Sequence, residues 1–395
     1  MPNITIRQVE GQEMLDILYR LDNYAFQPTP PFPNREKWEG HVKSWSGTLY
    51  YALFEDGEGV AIASCPLMTQ NVRGVIFKMG GVAEVSTHPK ARRKGYIRQL
   101  MRYIYQQLKD QGYPLSCLYP FRESFYERLG YVTFPQSRKA IIKTADLAPL
   151  LKQDLGGETI FGSTEEGYDA YFDFTQKLQP NIHGMAVFSE SQKEGAVKGN
   201  RNWIVKARVD GQIVGILVYS LKGDQMMEYN LVARRFYYST SQGKYLLLEW
   251  IARHIDQATK AEIWLPAYEQ PNTWLADISP KLEPVFVAPM GRVLEVPEIE
   301  GMETGPGSFC AAISDPDCPW NNGTWQFESQ DGRLVISPAQ TANCHLTIQG
   351  LSALVYGVND PEDFSLRGWG DPSPALIETL RAMFPPRLPY LHESY

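Results

Sequence analysis

Residues 85–97 read Val85-Ser86-Thr87-His88-Pro89-Lys90-Ala91-Arg92-Arg93-Lys94-Gly95-Tyr96-Ile97. The first three close a run of apolar and alternating side chains that starts at Val75. After Gly95 the period changes: apolar residues fall at Ile97, Leu100, Met101, Ile104 and Leu108, the i, i+3, i+4, i+7, i+11 spacing of a helix with one buried face. A strand therefore meets a helix across a basic, glycine-containing loop. Between Lys90 and Arg102 stand six basic residues (Lys90, Arg92, Arg93, Lys94, Arg98, Arg102) and no acidic one. A helix start presents unpaired N–H groups and the positive end of its dipole, so this junction suits a pyrophosphate. Gly95 allows backbone approach, and Arg92 and Arg93 add charged hydrogen bonds. The expected ligand is an anionic, nucleotide-like cofactor.

Working outward, residues 50–54, 60–68 and 75–87 are apolar or alternating, separated by turns at Glu55-Asp56-Gly57-Glu58-Gly59 and Asn71-Val72-Arg73-Gly74. They read as antiparallel strands. Gly112 ends the helix, residues 114–119 read as a short strand, 123–129 as a second helix and 131–134 as a further strand. That order is mixed α/β. A related order recurs at residues 204–209, the turn Asp210-Gly211, 213–221 and 226–232. A helix with Tyr245, Leu248, Ile251, Ala252 and Ile255 on one face follows, then a strand at 262–266. We read this as a degenerate duplication. The second copy has Ser239-Thr240-Ser241-Gln242-Gly243-Lys244 where the first has Arg-Arg-Lys-Gly, so it reads as structural. From about Val287 the texture changes to short strands around Asp331-Gly332, with helices at 351–356 and 374–383.

The chain has 395 residues, which at roughly 150 residues per domain predicts two or three domains. We expect boundaries at 1–150, 151–286 and 287–395. With 43% hydrophobic and 21% charged residues the composition is that of a globular chain rather than a disordered one. The net charge of -7 speaks against a nucleic acid or an anionic membrane as partner and favours a cationic one. The charge is uneven: residues 1–150 hold 14 acidic and 19 basic side chains, residues 291–395 hold 14 acidic and 5 basic. No apolar run approaches the length of a spanning helix, and Met1 to Ile6 lead into polar residues rather than a signal core, so a cytoplasmic protein is expected. Five cysteines (Cys65, Cys117, Cys310, Cys318, Cys344) without CxxC spacing indicate neither a disulfide framework nor a zinc site. No metal is expected.

The stretch 85–95, the helix after it and Phe125-Tyr126-Glu127-Arg128-Leu129-Gly130-Tyr131 resemble the acetyl-CoA-binding and catalytic segments of GCN5-related N-acetyltransferases (GNAT). The whole layout, with its terminal Tyr390-Leu391-His392-Glu393-Ser394-Tyr395, resembles the enhanced intracellular survival (Eis) family of aminoglycoside acetyltransferases. The resemblance implies tandem GNAT folds, each a mixed central sheet flanked by helices, then a small sterol-carrier-like α+β domain. It implies acetyl-CoA as co-substrate and a homo-oligomer, a hexamer.

Residue by residue, the resemblance implies that Val85 and Thr87, with Ser86 between them, pair their backbone with the pantetheine arm. Arg92, Arg93, Lys94, Gly95 and Tyr96 would hold the pyrophosphate. The family's R-x-x-G-x-G/A ends here in Ile97, which should therefore bind through its backbone only. Tyr126 matches the general acid that protonates the departing thiolate. The base matches the C-terminal carboxylate, here of Tyr395. Glu84 competes for that role, since alternation along the strand turns it away from Val85 and Thr87 and into the substrate cleft. An amine of pKa near 10.4 is neutral in roughly one molecule in 2,500 at pH 7, so a base or a proton-wire to solvent is required, which leaves water as the third candidate. Asp22, Phe26, Trp38 and Trp45 are candidates for an acidic, aromatic amine pocket. His88 reads as a loop residue, and His392 and Glu393 carry no chemical role.

These residues point to an acetyl-CoA-dependent N-acetyltransferase acting directly on a primary amine of a cationic small molecule, aminoglycoside- or polyamine-like. The rival readings are a protein lysine acetyltransferase, or a lipid-binding scaffold that keeps the acetyltransferase fold as a relic.

Overall fold

The computed structural model describes residues 2–225, 227–393 and 395. The chain divides into two compact units, one of Met1–Pro135, Pro180–Ala196 and Ala288–Tyr395, the other of Gln136–Gln179 and Val197–Val287. No described helix is long and apolar enough to cross a membrane.

In the first unit the strands β1 (Ile4–Gln8), β2 (Thr48–Glu55), β3 (Glu58–Val72), β4 (Val75–Thr87), β5 (Leu115–Leu118) and β6 (Val132–Thr133) form one sheet. The helices α1 (Gly11–Phe26), α2 (Arg35–Val42), α3 (Tyr96–Asp110) and α4 (Glu123–Glu127) connect them. Two hairpins set the register of β2 to β4. Their turns hold Asp56 at φ 52° and Gly57 at 85°, then Arg73 at 47° and Gly74 at 83°, the paired positive angles that match the twist of a two-residue hairpin. Only β4 and β5 run parallel, joined by the crossover through α3, which buries Leu100, Met101, Ile104, Tyr105 and Leu108 against the sheet.

Two further strands enter this sheet from distant sequence. Met290–Val293 inserts antiparallel between β5 and β6, and Ala186–Phe188 pairs with β3. The C-terminal segment adds a four-stranded sheet in the order Arg333–Pro338, Gly323–Gln330, Ser308–Ser314, Cys344–Thr347. Helices Ile348–Tyr356 and Pro374–Met383 cover its inner face, where the rings of Phe309 and Phe327 stack at 4.8 Å. This segment shares a core with the first sheet: Tyr356 packs on Phe134 at 4.6 Å and its hydroxyl donates to Gln70 Oε1 at 3.1 Å.

Arg292 is fully buried on the inserted strand. It donates to Asp315 Oδ2 at 2.6 Å and to the carbonyl of Leu129, with its guanidinium 4.6 Å from the ring centre of Tyr105. Removing one member of such a pair strands the other charge in the interior. Asp315→Ala is expected to cost about 3–5 kcal/mol, read as a drop in the urea midpoint, while a double replacement of Arg292 and Asp315 by apolar residues of similar volume costs much less. Equal losses in the two variants would overturn this.

The second unit orders its strands as Lys281–Pro284, Arg138–Lys143, Ala258–Leu265, Tyr229–Tyr238, Gln212–Lys222, Trp203–Val209 and Glu158–Ser163. Again one central pair is parallel, Tyr229–Tyr238 with Ala258–Leu265, joined through helix Ser241–Ala252. The strand expected at 226–232 runs as Tyr229–Tyr238, and Met226 lies outside the described residues. In this copy the opening beyond the parallel pair is filled. Tyr238 and Trp274 both donate to Glu269, at 2.8 and 2.9 Å, and Trp274 packs on Phe236. The helix start is spent as well, because Thr240 accepts from the amide of Gly243 at 3.0 Å. The side-chain cap at Thr240 contrasts with Gly95 of the first unit, where no side chain caps the helix.

The expected boundaries at 150 and 286 are corrected by the pairing. Residues 138–143 hydrogen-bond to strands of the second sheet, so that unit begins at Gln136. Residues 180–196 and everything from Ala288 return to the first, because their strands complete its sheet and core.

Candidate active site

The parallel pairing of β4 with β5 ends at Val82 opposite Leu118, whereas β4 continues to Thr87. The edge of β4 that faced β5 is thereby left open over residues 83–87. Val85 and Thr87 are half-buried there, and the buried hydroxyl of Ser86 finds no partner among the described residues.

The loop that follows turns at Pro89–Ala91, capped by His88 Nδ1 accepting from the amide of Lys90 at 3.3 Å. It then passes through two left-handed residues, Arg93 at φ 63° and Gly95 at 79°. A Cβ at Gly95 would meet nothing within 4 Å, and no side chain caps α3 at that residue. The first turn of this 15-residue helix is therefore left without a side-chain cap, in contrast to the second unit. These features fit a bound pyrophosphate.

The six basic residues divide into two groups. Lys90 pairs with Glu58 at 2.5 Å, Lys94 with Glu55 at 2.7 Å, and Arg98 and Arg102 with the buried Asp317 at 2.8 and 2.6 Å. Tyr96 also donates to Glu55, at 2.6 Å, a bond that helps push its hydroxyl up to about 12. The side chains of Lys94 and Tyr96 are thus turned to Glu55, a partner that their spacing did not disclose. Arg92, which reaches the carbonyl of Thr87 at 3.4 Å and lies 5.8 Å over the ring of Tyr24, and Arg93 stay exposed. Neither has an acidic partner among the described residues. Ile97 packs its side chain against the core beneath α3.

On the acceptor side the regular alternation of β4 breaks. Ile62 faces Ser86 and Ser64 faces Ala83, so Glu84 and Val85 together stand opposite Ala63, a β-bulge. Glu84 takes φ 51°, a costly angle for a residue with a side chain. Its direction is set by that bulge and not by the alternation assumed from sequence. Burial pushes the Glu84 carboxyl up, opposed by a hydrogen bond from Ser64. Asp22 of α1 is pushed up to about 7, first by burial and then by the charge of Glu84. Tyr50 of β2 is raised by burial and by both carboxylates. Groups from α1, β2, β3 and β4 thus converge, and neither acid has a cationic partner among the described residues.

The remaining candidates divide. Phe26 lies one turn beyond Asp22 on α1 and is exposed. Trp38 sits edge-on to Tyr19 at 5.0 Å and packs against the small core under α1. Trp45 does not join them, because it packs on Phe188 at 5.7 Å and against Gly195; its role is in the core. Tyr126 is buried on α4 beside Phe121, Phe125 and Tyr131, and burial pushes its hydroxyl up. The ring of Tyr395 lies over Gly81 of β4, close to Pro66 and 5.8 Å from Tyr119. Tyr119 holds the tail by donating to the carbonyl of Leu391 at 3.2 Å, and the amide of Tyr390 donates to the carbonyl of His183 at 2.8 Å. His392 and Glu393 approach each other to 3.1 Å.

Sequence reasoning missed Tyr50, Ser64, Gly81 and Tyr119. Only Gly81 carried a signal, since glycines inside an apolar strand often mark a close approach.

Residues 5–134 match the acetyltransferase (GNAT) domain family and residues 304–392 the sterol carrier protein domain family. Similar solved structures include a conserved protein of unknown function, a probable N-acyltransferase, from Enterococcus faecalis V583 (TM-score 0.85, 20% identity, 100% of both chains). Others are a GCN5-related N-acetyltransferase from Kribbella flavida (0.83, 20%, covering 100% of this chain and 99% of that one) and Eis1 from Mycobacterium abscessus (0.78, 14%, 100% of both). At these identities the likeness is one of fold. No curated protein matches the sequence.

Proposed function

We propose that this chain, which joins an acetyltransferase (GNAT) domain at residues 5–134 to a sterol carrier protein domain at residues 304–392, transfers the acetyl group of acetyl-CoA directly to a primary amine of a cationic small molecule. The chain carries the mixed-sheet GNAT fold in tandem, and that domain implies acetyl-CoA as its co-substrate. The observation that supports the acceptor class is the convergence of Asp22 and Glu84, two half-buried acids without a cationic partner among the described residues, beside the open edge of β4. An ammonium group supplies the missing positive charge.

The chemistry then follows from the residues in place. Arg92, Arg93 and the first amides of α3 hold the pyrophosphate, and the open edge of β4 at Val85 and Thr87 pairs with the pantetheine arm. Glu84 takes a proton from the bound ammonium. A carboxyl raised by burial is better matched to that task at neutral pH than an ordinary one. The neutral amine attacks the thioester carbonyl, forming the C–N bond as the C–S bond breaks. Tyr126, kept protonated by burial, gives its proton to the departing sulfur, and the second proton shed by the acylated nitrogen restores its hydroxyl. Direct transfer is supported by the two thiols nearest the sheet opening: burial pushes both Cys65 and Cys117 up to about 12, which leaves neither as a thiolate nucleophile.

The inner face of the C-terminal sheet is filled by Phe309, Phe327, Leu346, Leu351 and Leu380, all buried. That filling favours a packed domain over a lipid carrier. The hexamer belongs to the same proposal and is checked by the mass in solution. The activity itself is tested by mixing the protein with acetyl-CoA and a panel of aminoglycosides, polyamines and lysine peptides, and following free thiol. Release with polycationic small molecules is expected; release with peptides alone would hand the acceptor role to a protein lysine, and no release with any amine would sink the proposal.

A further inference from the structure

The side chain of Tyr395 puts a polar atom where the described residues offer it nothing to bond. A Cβ at Gly81 would stand 2.7 Å from Cε2 of Tyr395 and 3.0 Å from Cζ, the ring carbon that bears the hydroxyl. The hydroxyl end of the ring therefore rests on β4 one residue before its pairing with β5 stops at Val82. The hydroxyl is buried and has no hydrogen-bond partner among the described residues. The titratable groups whose charge acts on it are Cys117, Tyr119, Tyr131 and Cys65. Several are engaged elsewhere: Tyr131 with Ser116 Oγ at 2.7 Å, Cys117 with Gln70 Oε1 at 3.5 Å, and Tyr119 with the carbonyl of Leu391.

A buried hydroxyl without a partner is unfavourable, and a phenylalanine would fill the same space without that cost. The position explains the hydroxyl if a ligand completes it. We propose that the Tyr395 hydroxyl donates a hydrogen bond to a carbonyl oxygen of the bound acyl-CoA, so that the last side chain of the sequence forms part of the acyl-donor site. This rests on the acetyltransferase reading above and goes beyond it, because it concerns the side chain and not the terminal carboxylate. The acceptor is either the thioester carbonyl or the nearest pantetheine amide, two carbonyls of like hydrogen-bonding chemistry.

The test is Tyr395→Phe, which keeps the ring and the terminal carboxylate. Binding of acetyl-CoA and of CoA is measured by calorimetry for both proteins, together with kcat/KM and the urea midpoint without ligand. Loss of one hydrogen bond predicts acetyl-CoA affinity or kcat/KM lower by roughly two- to tenfold, with an unchanged or higher urea midpoint. Loss confined to acetyl-CoA identifies the thioester, and equal loss for CoA identifies the amide. Unchanged binding and kcat/KM overturn the proposal, as does a lower midpoint, which would show the hydroxyl already bonded within the chain. If the unaltered protein fails to bind acetyl-CoA, the acetyltransferase reading fails and takes this inference with it.

Discussion

Glu84→Gln is expected to lower kcat by about 10²–10⁴-fold, the contribution of a positioned base, with acetyl-CoA affinity retained. Glutamine keeps the shape of the side chain at the bulge and cannot accept the proton of the ammonium. The sign of the pH dependence follows from the raised carboxyls. Asp22 is held near 7 and Glu84 is raised from its ordinary range, so at low pH the pair keeps its protons and can neither attract nor deprotonate an ammonium. For the unaltered enzyme kcat/KM should rise with pH through a midpoint near 7. In Asp22→Asn the group held near 7 is gone and the limb left is that of Glu84, whose charge is already present when Asp22 ionises, so this limb should move to lower pH, and KM for the amine should rise because one of two negative partners is lost. Full turnover in Glu84→Gln, combined with lost turnover on removing Glu393 to Tyr395, would transfer the base to the terminal carboxylate.

Replacing Arg92 and Arg93 together by alanine is expected to weaken acetyl-CoA binding by roughly a hundredfold or more, since each charged hydrogen bond to a phosphate is worth roughly a factor of ten. Raising the salt concentration should weaken binding to the unaltered protein and matter less to the double variant, because exposed charges are screened. Lys94→Ala and Arg98→Ala remove the same formal charge from the same loop and helix, yet should leave acetyl-CoA affinity nearly unchanged. Lys94 is tied to Glu55, and Arg98 is one of two arginines that neutralise the buried Asp317. The cost of Arg98→Ala should appear as lower stability. If calorimetry gave Arg98→Ala and Arg92→Ala equal losses of affinity, the division of the basic cluster would be wrong.

The strand, loop and helix of residues 75–110 were legible because each signal is local. Alternation marks the strand, the apolar spacing after Gly95 marks the buried face of α3, and the left-handed glycine sits between them. The duplicated order was legible for the same reason, as was the changed loop of the second copy, where the Thr240 side chain caps the helix. Tyr126 was nominated by the family resemblance, and Asp22 by its residue type among neighbouring aromatics.

What remained hidden depends on partners far away in sequence. Six basic residues are plain in the sequence, but the ones left for a ligand were decided by tertiary structure, through carboxylates such as Asp317, which lies 219 residues beyond Arg98. The domain boundaries were displaced because a four-residue strand, Met290–Val293, carries too little pattern to announce that it completes a distant sheet. An added residue at Glu84 looks like ordinary strand until the register is seen, and Trp45 looks like a pocket aromatic until Phe188 is found against it. Gly81 is visible as a glycine, whereas the ring it admits belongs to the last residue of the chain. Periodicity and capping act over one or two turns and so are written in neighbouring residues. Charge pairing, burial and the filling of a cleft act through space, and only the folded chain brings their members together.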